Sequence, residues 1–278
     1  MTTTLNTTPT TQRVTLPTGV TLTVYQAGNG PDVLLLHGTA GGGMFWSVQI
    51  DQLVKAGFRV TAPDGRGHGT SDRASDYSTA AIVADAVALI QVLQLHKPIV
   101  IGHSMGGVQA LNMAITHHEL LTCAILVDPA LLLEPRDDAY VQAFRAAWRH
   151  DLDTWSTMSF AELVAFKQKD TPHWSEEAIT QWAHTKMQVD PNVLQWLDAL
   201  KVPIWSWVTP TDVPIHMMYC QDNAGGVVTP ALNKELRVPL PFFTAAVVPK
   251  AGHYMHLDQP SGFMRAVKAF LDAKRLIP

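Results

Sequence analysis

The sequence predicts an α/β protein: a mostly parallel central sheet flanked by helices, with a helical insertion after the sixth strand. Three observations carry this. Apolar runs of strand length alternate with helix-length segments from residue 32 to residue 127, a pattern that a parallel sheet with right-handed crossovers satisfies. Between residues 131 and 211 no buried strand is legible, and seven of the eight tryptophans fall there. From Pro214 onward, strand and helix alternate again.

In chain order, residues 13–16 and 20–25 alternate apolar with polar side chains around the turn signal Pro17-Thr18-Gly19. They predict a hairpin at a sheet edge. Residues 32–36 form a continuous apolar run of the kind buried on both faces of a parallel sheet. A helix is expected over 45–56, a strand over 58–62, a helix over 80–93, a strand over 98–102, a helix over 108–116 and a strand over 123–127. In the insertion, Ser159 and Glu162 fit a capping box, and Asp190-Pro191 fits an N-cap followed by proline at the first helical position. A strand over 214–220, a helix over 230–236, a strand over 242–248 and a helix over 260–273 complete the chain. The division is a core of residues 13–130 and 212–278, a helical lid over 131–211 and a disordered tail over 1–12.

Composition narrows the function classes. The chain has 278 residues, 47% of them hydrophobic, which suits one large core. A net charge of −4 offers no electrostatic reason to expect nucleic acid or an anionic membrane as partner. Cys123 and Cys220 both lie in apolar, strand-like runs and read as buried thiols, not as a disulfide framework. The threonine-rich N-terminal segment has neither a basic nor an apolar signal region, and no apolar run approaches the roughly 18 residues that span a bilayer. The expectation is a cytoplasmic monomer or homodimer acting on a small molecule.

The chemistry concentrates at Gly102-His103-Ser104-Met105-Gly106. This is a G-x-S-x-G pattern between a strand and a helix, the context that makes a nucleophile elbow. The turn pushes the serine Oγ above the sheet and places it at the positive end of the following helix. Serine needs a base to act at neutral pH. Of the twelve histidines, His253 is best placed, in a Gly-His loop between the last strand and the last helix. His117 and His118 end a helix, His37 reads as a loop-shaping residue, and His103 reads as a ring packed beside the turn.

Four stretches in this order resemble the α/β-hydrolase superfamily, in its compact one-lid branch. They are His37-Gly38, the loop Asp64-Gly65-Arg66-Gly67-His68-Gly69-Thr70-Ser71, the elbow with Gly107, and Gly252-His253 followed by Leu257 and Pro260. The resemblance covers nearly the whole chain. It implies that Ser104 attacks, that His253 is base and then acid, and that an oxyanion sits between the N–H groups of Thr39 and Met105. It implies a substrate lined by Trp46, Gly38 and His103, with no metal and no cofactor.

The acid partner departs from the family pattern. The usual turn after the strand following the lid reads Cys220-Gln221-Asp222-Asn223, without the expected glycine and with the carboxylate one step early. Some relatives carry the acid after the preceding strand, which here is Asp128 in Val127-Asp128-Pro129. Both stay open, with Asp128 preferred. The expected activity is hydrolysis of a carboxylic ester, lactone or related acyl bond of an apolar or aromatic molecule through an acyl-enzyme. The alternatives are a cofactor-free dioxygenase opening a hydroxyquinolone-like ring, a C–C hydrolase, perhydrolysis, and a non-catalytic receptor that keeps the pocket.

Overall fold

The computed structural model describes residues 7–221 and 224–278. Its centre is an eight-stranded sheet in the order β1-β2-β4-β3-β5-β6-β7-β8. The hairpin β1 (Thr10–Thr15) and β2 (Thr21–Ala27) is antiparallel and joins antiparallel to β4 (Arg59–Pro63). β3 (Asp32–Leu36), β5 (Ile99–His103), β6 (Cys123–Val127), β7 (Ile215–Cys220) and β8 (Phe243–Val248) continue it as a parallel ladder with β4. The first strand corrects the expected tail boundary. It begins at Thr10, not after residue 12, because the threonine-rich run pairs in register with β2, Thr10 opposite Gln26. β-Branched threonine suits a pleated edge. The rest of the expected tail, residues 1–6, lies outside the described residues.

The inner strands are buried on both faces, and period-2 alternation divides them between two layers. Leu34, Leu36, Val100, Leu126 and Met217 face α2 (Thr79–Val92), α3 (Met105–Thr116) and α7 (Pro230–Leu236). Val33, Leu35, Ile101, Ile125 and Met218 face α1 (Ser47–Lys55) and α9 (Pro260–Ala273). After the short helix α8 (Met255–Asp258), α9 begins at Pro260, where a backbone N–H would be unpaired in any case and proline has none.

Three helices, α4 (Asp138–Ser156), α5 (Phe160–Asp170) and α6 (Glu176–Gln188), stand between β6 and β7, followed by 3₁₀ turns over Pro191–Lys201 and Ile204–Ser206. Ser159 and Glu162 close the capping box of α5. Asp190 caps as expected, yet the segment it starts is 3₁₀. The inserted helices bury two apolar clusters. One joins Val141, Leu152, Val193 and Leu197 to Ala40 and Met105; the other joins Leu163, Trp174, Ile179 and Trp182 to Phe45 and Leu257. Among the described residues no helix is long and apolar enough to cross a membrane.

Candidate active site

The sheet order reverses at β3, which lies between β4 and β5, and a crevice opens beyond the carboxyl ends of strands at such a point. The loop after β3 carries Thr39, the turn after β5 carries Ser104, Asp128 follows β6, and His253 follows β8.

Ser104 has φ +52° and ψ −113°, a left-handed conformation that a non-glycine residue holds only under constraint. The constraint is visible. Its N–H donates to Val127 O at 2.9 Å, and its carbonyl accepts from Gly107 at 2.9 Å and from Val108 and Ala130 at 3.2 Å. A Cβ at Gly102 would overlap the Gly106 carbonyl, and one at Gly106 would overlap the Leu36 carbonyl, so strand and helix approach this closely only because both residues are glycine. Among the described residues Ser104 Oγ has no hydrogen-bond partner, although the residue is only 8% exposed.

Asp128 also has positive φ (+39°) and is 0% exposed. Its Oδ2 accepts from His253 Nδ1 at 2.5 Å and from Val227 N at 2.9 Å, and its Oδ1 accepts from Val228 N at 3.1 Å. The loop after β7 therefore wraps this carboxylate with backbone donors. Asp222, the rival acid, lies outside the described residues. The His253 side chain is 22% exposed and held from behind. His103 Nε2 donates to the His253 carbonyl at 2.9 Å, and the two rings are 4.6 Å apart.

Two expected substrate contacts are corrected. His103 is 2% exposed and packs among His253, Tyr254 and His256; burial and the neighbouring His253 and His256 keep it far below its ordinary pKa and neutral. It supports His253 from below and does not line a site. Trp46 is fully buried and stacks on His256 at 4.3 Å, with Phe263 beyond it, in the layer beneath the sheet. The reason is the 3₁₀ turn Gly43–Trp46, in which successive side chains diverge by about a third of a turn. Phe45, one residue earlier, faces the inserted helices and Tyr254. Gly38 stays close to Ser104: a Cβ there would lie 3.1 Å from Ser104 Cβ and 2.8 Å from His103 Nδ1.

The backbone N–H groups of Thr39 and Met105 have no acceptor among the described residues. The loop that presents Thr39 is clamped. Ala40 has φ +54°; its N–H donates to His68 Nε2 at 3.2 Å, and its carbonyl accepts from Lys186 Nζ on α6. His37 Nδ1 donates to Gly38 O at 2.8 Å while its Nε2 accepts from Gly65 N at 2.8 Å, which fixes a neutral tautomer. Burial pushes the His37 pKa down to about 4 and that of His68 well down too. Behind them Arg66 and Asp85 form a buried bidentate pair at 2.5 and 2.7 Å. The Asp64-to-Ser71 loop is thus the scaffold of the Thr39 loop. A groove of about 490 Å³, lined by Val108, Leu131, Trp196 and Trp207 among others, lies between α3 and the inserted segment; Thr39, Ser104, Asp128 and His253 do not line it.

The residues that motif reading missed are Lys186 and Tyr254. Lys186 had a readable signal: Ile179, Trp182, Ala183 and Lys186 recur at spacings of three and four, the buried face of α6. Tyr254 follows His253 and packs against Phe45, His103 and Trp174, a contact set that exists only in the folded chain.

A family model described as the alpha/beta hydrolase family matches residues 33–266, and the chain belongs to that family. It is 28% identical to a putative 2-succinyl-6-hydroxy-2,4-cyclohexadiene-1-carboxylate synthase of Bacillus subtilis, over 94% of this chain and 98% of that one. It is 28% identical to an sn-1-specific diacylglycerol lipase of Mus musculus, over 87% of this chain and 81% of that one. Among solved structures, E-2-(acetamidomethylene)succinate hydrolase superposes with a TM-score of 0.81 at 21% identity, covering 95% of this chain and 99% of that chain.

Proposed function

We propose that the protein is a serine hydrolase that cleaves a carboxylic ester, lactone or related acyl bond of an apolar or aromatic small molecule through an acyl-enzyme. The observation that supports this reading is the fully buried Asp128 on Nδ1 of the His253 imidazole, with Ser104 on the turn that follows the adjacent strand at the same edge of the sheet. The same reading takes Asp128, not Asp222, as the acid.

In this reading Ser104 Oγ attacks the acyl carbon and His253 Nε2 takes its proton. Asp128 holds the Nδ1–H tautomer and stabilises the imidazolium. The oxyanion accepts from the N–H groups of Thr39 and Met105, each worth roughly 3 kcal/mol in the barrier. His253 returns the proton to the leaving alkoxide, and a water, deprotonated by the same nitrogen, releases the acid. The inserted helices act as the lid, with Phe45, Tyr254 and the tryptophans of α4 and α6 as its apolar wall. The name of one relative points the same way: it is a diacylglycerol lipase.

The test is a fluorophosphonate probe with Ser104→Ala. The wild type is expected to label at Ser104 and to hydrolyse p-nitrophenyl butyrate. The variant should lose both at nearly unchanged melting temperature, since Oγ has no hydrogen-bond partner among the described residues. Full activity in the variant refutes the assignment. A second reading, the cofactor-free ring-opening dioxygenase, is favoured by the position of Asp128 after β6. Oxygen uptake with a hydroxyquinolone that survives Ser104→Ala would select it.

A further inference from the structure

Among the described residues, Lys186 is a buried cation without a counter-charge. The residue is 3% exposed, and its one hydrogen bond among the described residues runs to the neutral carbonyl of Ala40. Its Nζ lies 5.6, 5.4 and 5.3 Å from the ring centres of Phe45, Trp155 and Trp182. Among the described residues no carboxylate lies within ion-pair distance of it, whereas Arg66 has Asp85 and Lys167 has Asp170. The charged side chain that acts on it is a second cation, Lys167, which faces Trp182 at 5.3 Å. Burial, with Lys167 adding to it, pushes the Lys186 pKa down to about 7.

Placing an ammonium here costs several kcal/mol. Ring faces recover about 2 kcal/mol, and one carbonyl adds a single charge-assisted hydrogen bond. An anion brought by a ligand would restore the balance. The position indicates which part of the ligand brings it. Ala40 adjoins Thr39, so the ammonium is tied to the loop one residue along from the proposed oxyanion donor. Trp155 is the only partly buried ring of the three around the ammonium, Phe45 and Trp182 being buried.

We propose that Lys186, at the junction of α6 with the Thr39–Ala40 loop, binds a carboxylate carried by the substrate a few bonds from its scissile acyl carbon. The substrate class is then the half-ester, or an equivalent acyl derivative, of a dicarboxylic acid. This rests on the serine-hydrolase reading above and adds a specificity-determining residue to it.

The test compares p-nitrophenyl butyrate with mono-p-nitrophenyl succinate, which replaces the terminal methyl by a carboxylate. The wild type should favour the succinate in kcat/KM by tenfold or more, expressed mainly in KM. Lys186→Met should bring that ratio to within about threefold of one, and Lys186→Arg should retain most of it. A ratio near one in the wild type overturns the proposal. So does an equal loss on both esters in Lys186→Met, because that is what a mere tie to Ala40 would produce. Binding separates this from failure of the hydrolase reading. Succinate should quench the tryptophan fluorescence of the wild type saturably and not that of Lys186→Met. Quenching without turnover of either ester refutes only the hydrolase, whereas no difference between wild type and variant refutes the lysine.

Discussion

Asp128→Asn exchanges one carboxylate oxygen for an NH₂ group. The carboxylate accepts three hydrogen bonds, from His253 Nδ1 and Val227 N on one oxygen and from Val228 N on the other. A carboxamide has one acceptor oxygen and one donor nitrogen. If its oxygen faces His253, the NH₂ group meets the Val228 N–H, and a buried donor is left unpaired at a cost of about 1–3 kcal/mol in stability. If its oxygen faces Val228, the NH₂ group meets His253 Nδ1 and selects the tautomer with the proton on Nε2. That tautomer cannot take the proton of Ser104. In either orientation the negative charge that stabilises the imidazolium is gone. The expected loss in kcat is about 10⁴-fold, or about 5 kcal/mol in the barrier. The assay is hydrolysis of p-nitrophenyl butyrate, with a urea titration to measure the stability change separately. Asp222→Asn is the comparison and should stay within a few-fold of wild type. If Asp128→Asn keeps more than a tenth of the activity while Asp222→Asn loses a thousandfold, the assignment of the acid is refuted.

Acid should destabilise the fold before any surface group can. Burial holds the folded pKa values of His37 and His216 near 4 and that of His256 near 3, and those of His68 and His103 well below normal, against about 6.5 unfolded. The unfolded chain therefore binds more protons below pH 6.5. The stabilisation is complete above that pH and is lost as pH falls toward 4, by about 1.4 kcal/mol per unit for each ring; equal urea midpoints at pH 7 and pH 5 would contradict this. Trp46→Ala should cost about 3–5 kcal/mol in stability and leave KM within twofold, because the ring belongs to the core; a large KM change at constant melting temperature would put it back in the site. Gly106→Ala should abolish soluble expression or activity, since its Cβ would overlap the Leu36 carbonyl; a fully active variant would show that the elbow relaxes more than the close packing allows.

Local chemistry by itself determined much of this protein. β-Branched runs, helix caps and turn glycines specify the strands, the capping box of α5 and the Gly102–Ser104–Gly106 turn, because each depends on neighbours within a few residues. The edge strand begins at Thr10, earlier than the sequence predicts, because threonine is ambiguous until a partner strand pairs with it. Tertiary structure alone decided the rest. Trp46 and Phe45 exchange roles through the pitch of one 3₁₀ turn, and His103 is buried by rings that arrive 150 residues later. The pairing of Asp128 with His253 spans 125 residues, and Lys186 meets Ala40 across 146. No periodicity encodes such encounters. They follow from which strand ends the sheet order brings to one edge, and from which helix then packs over it.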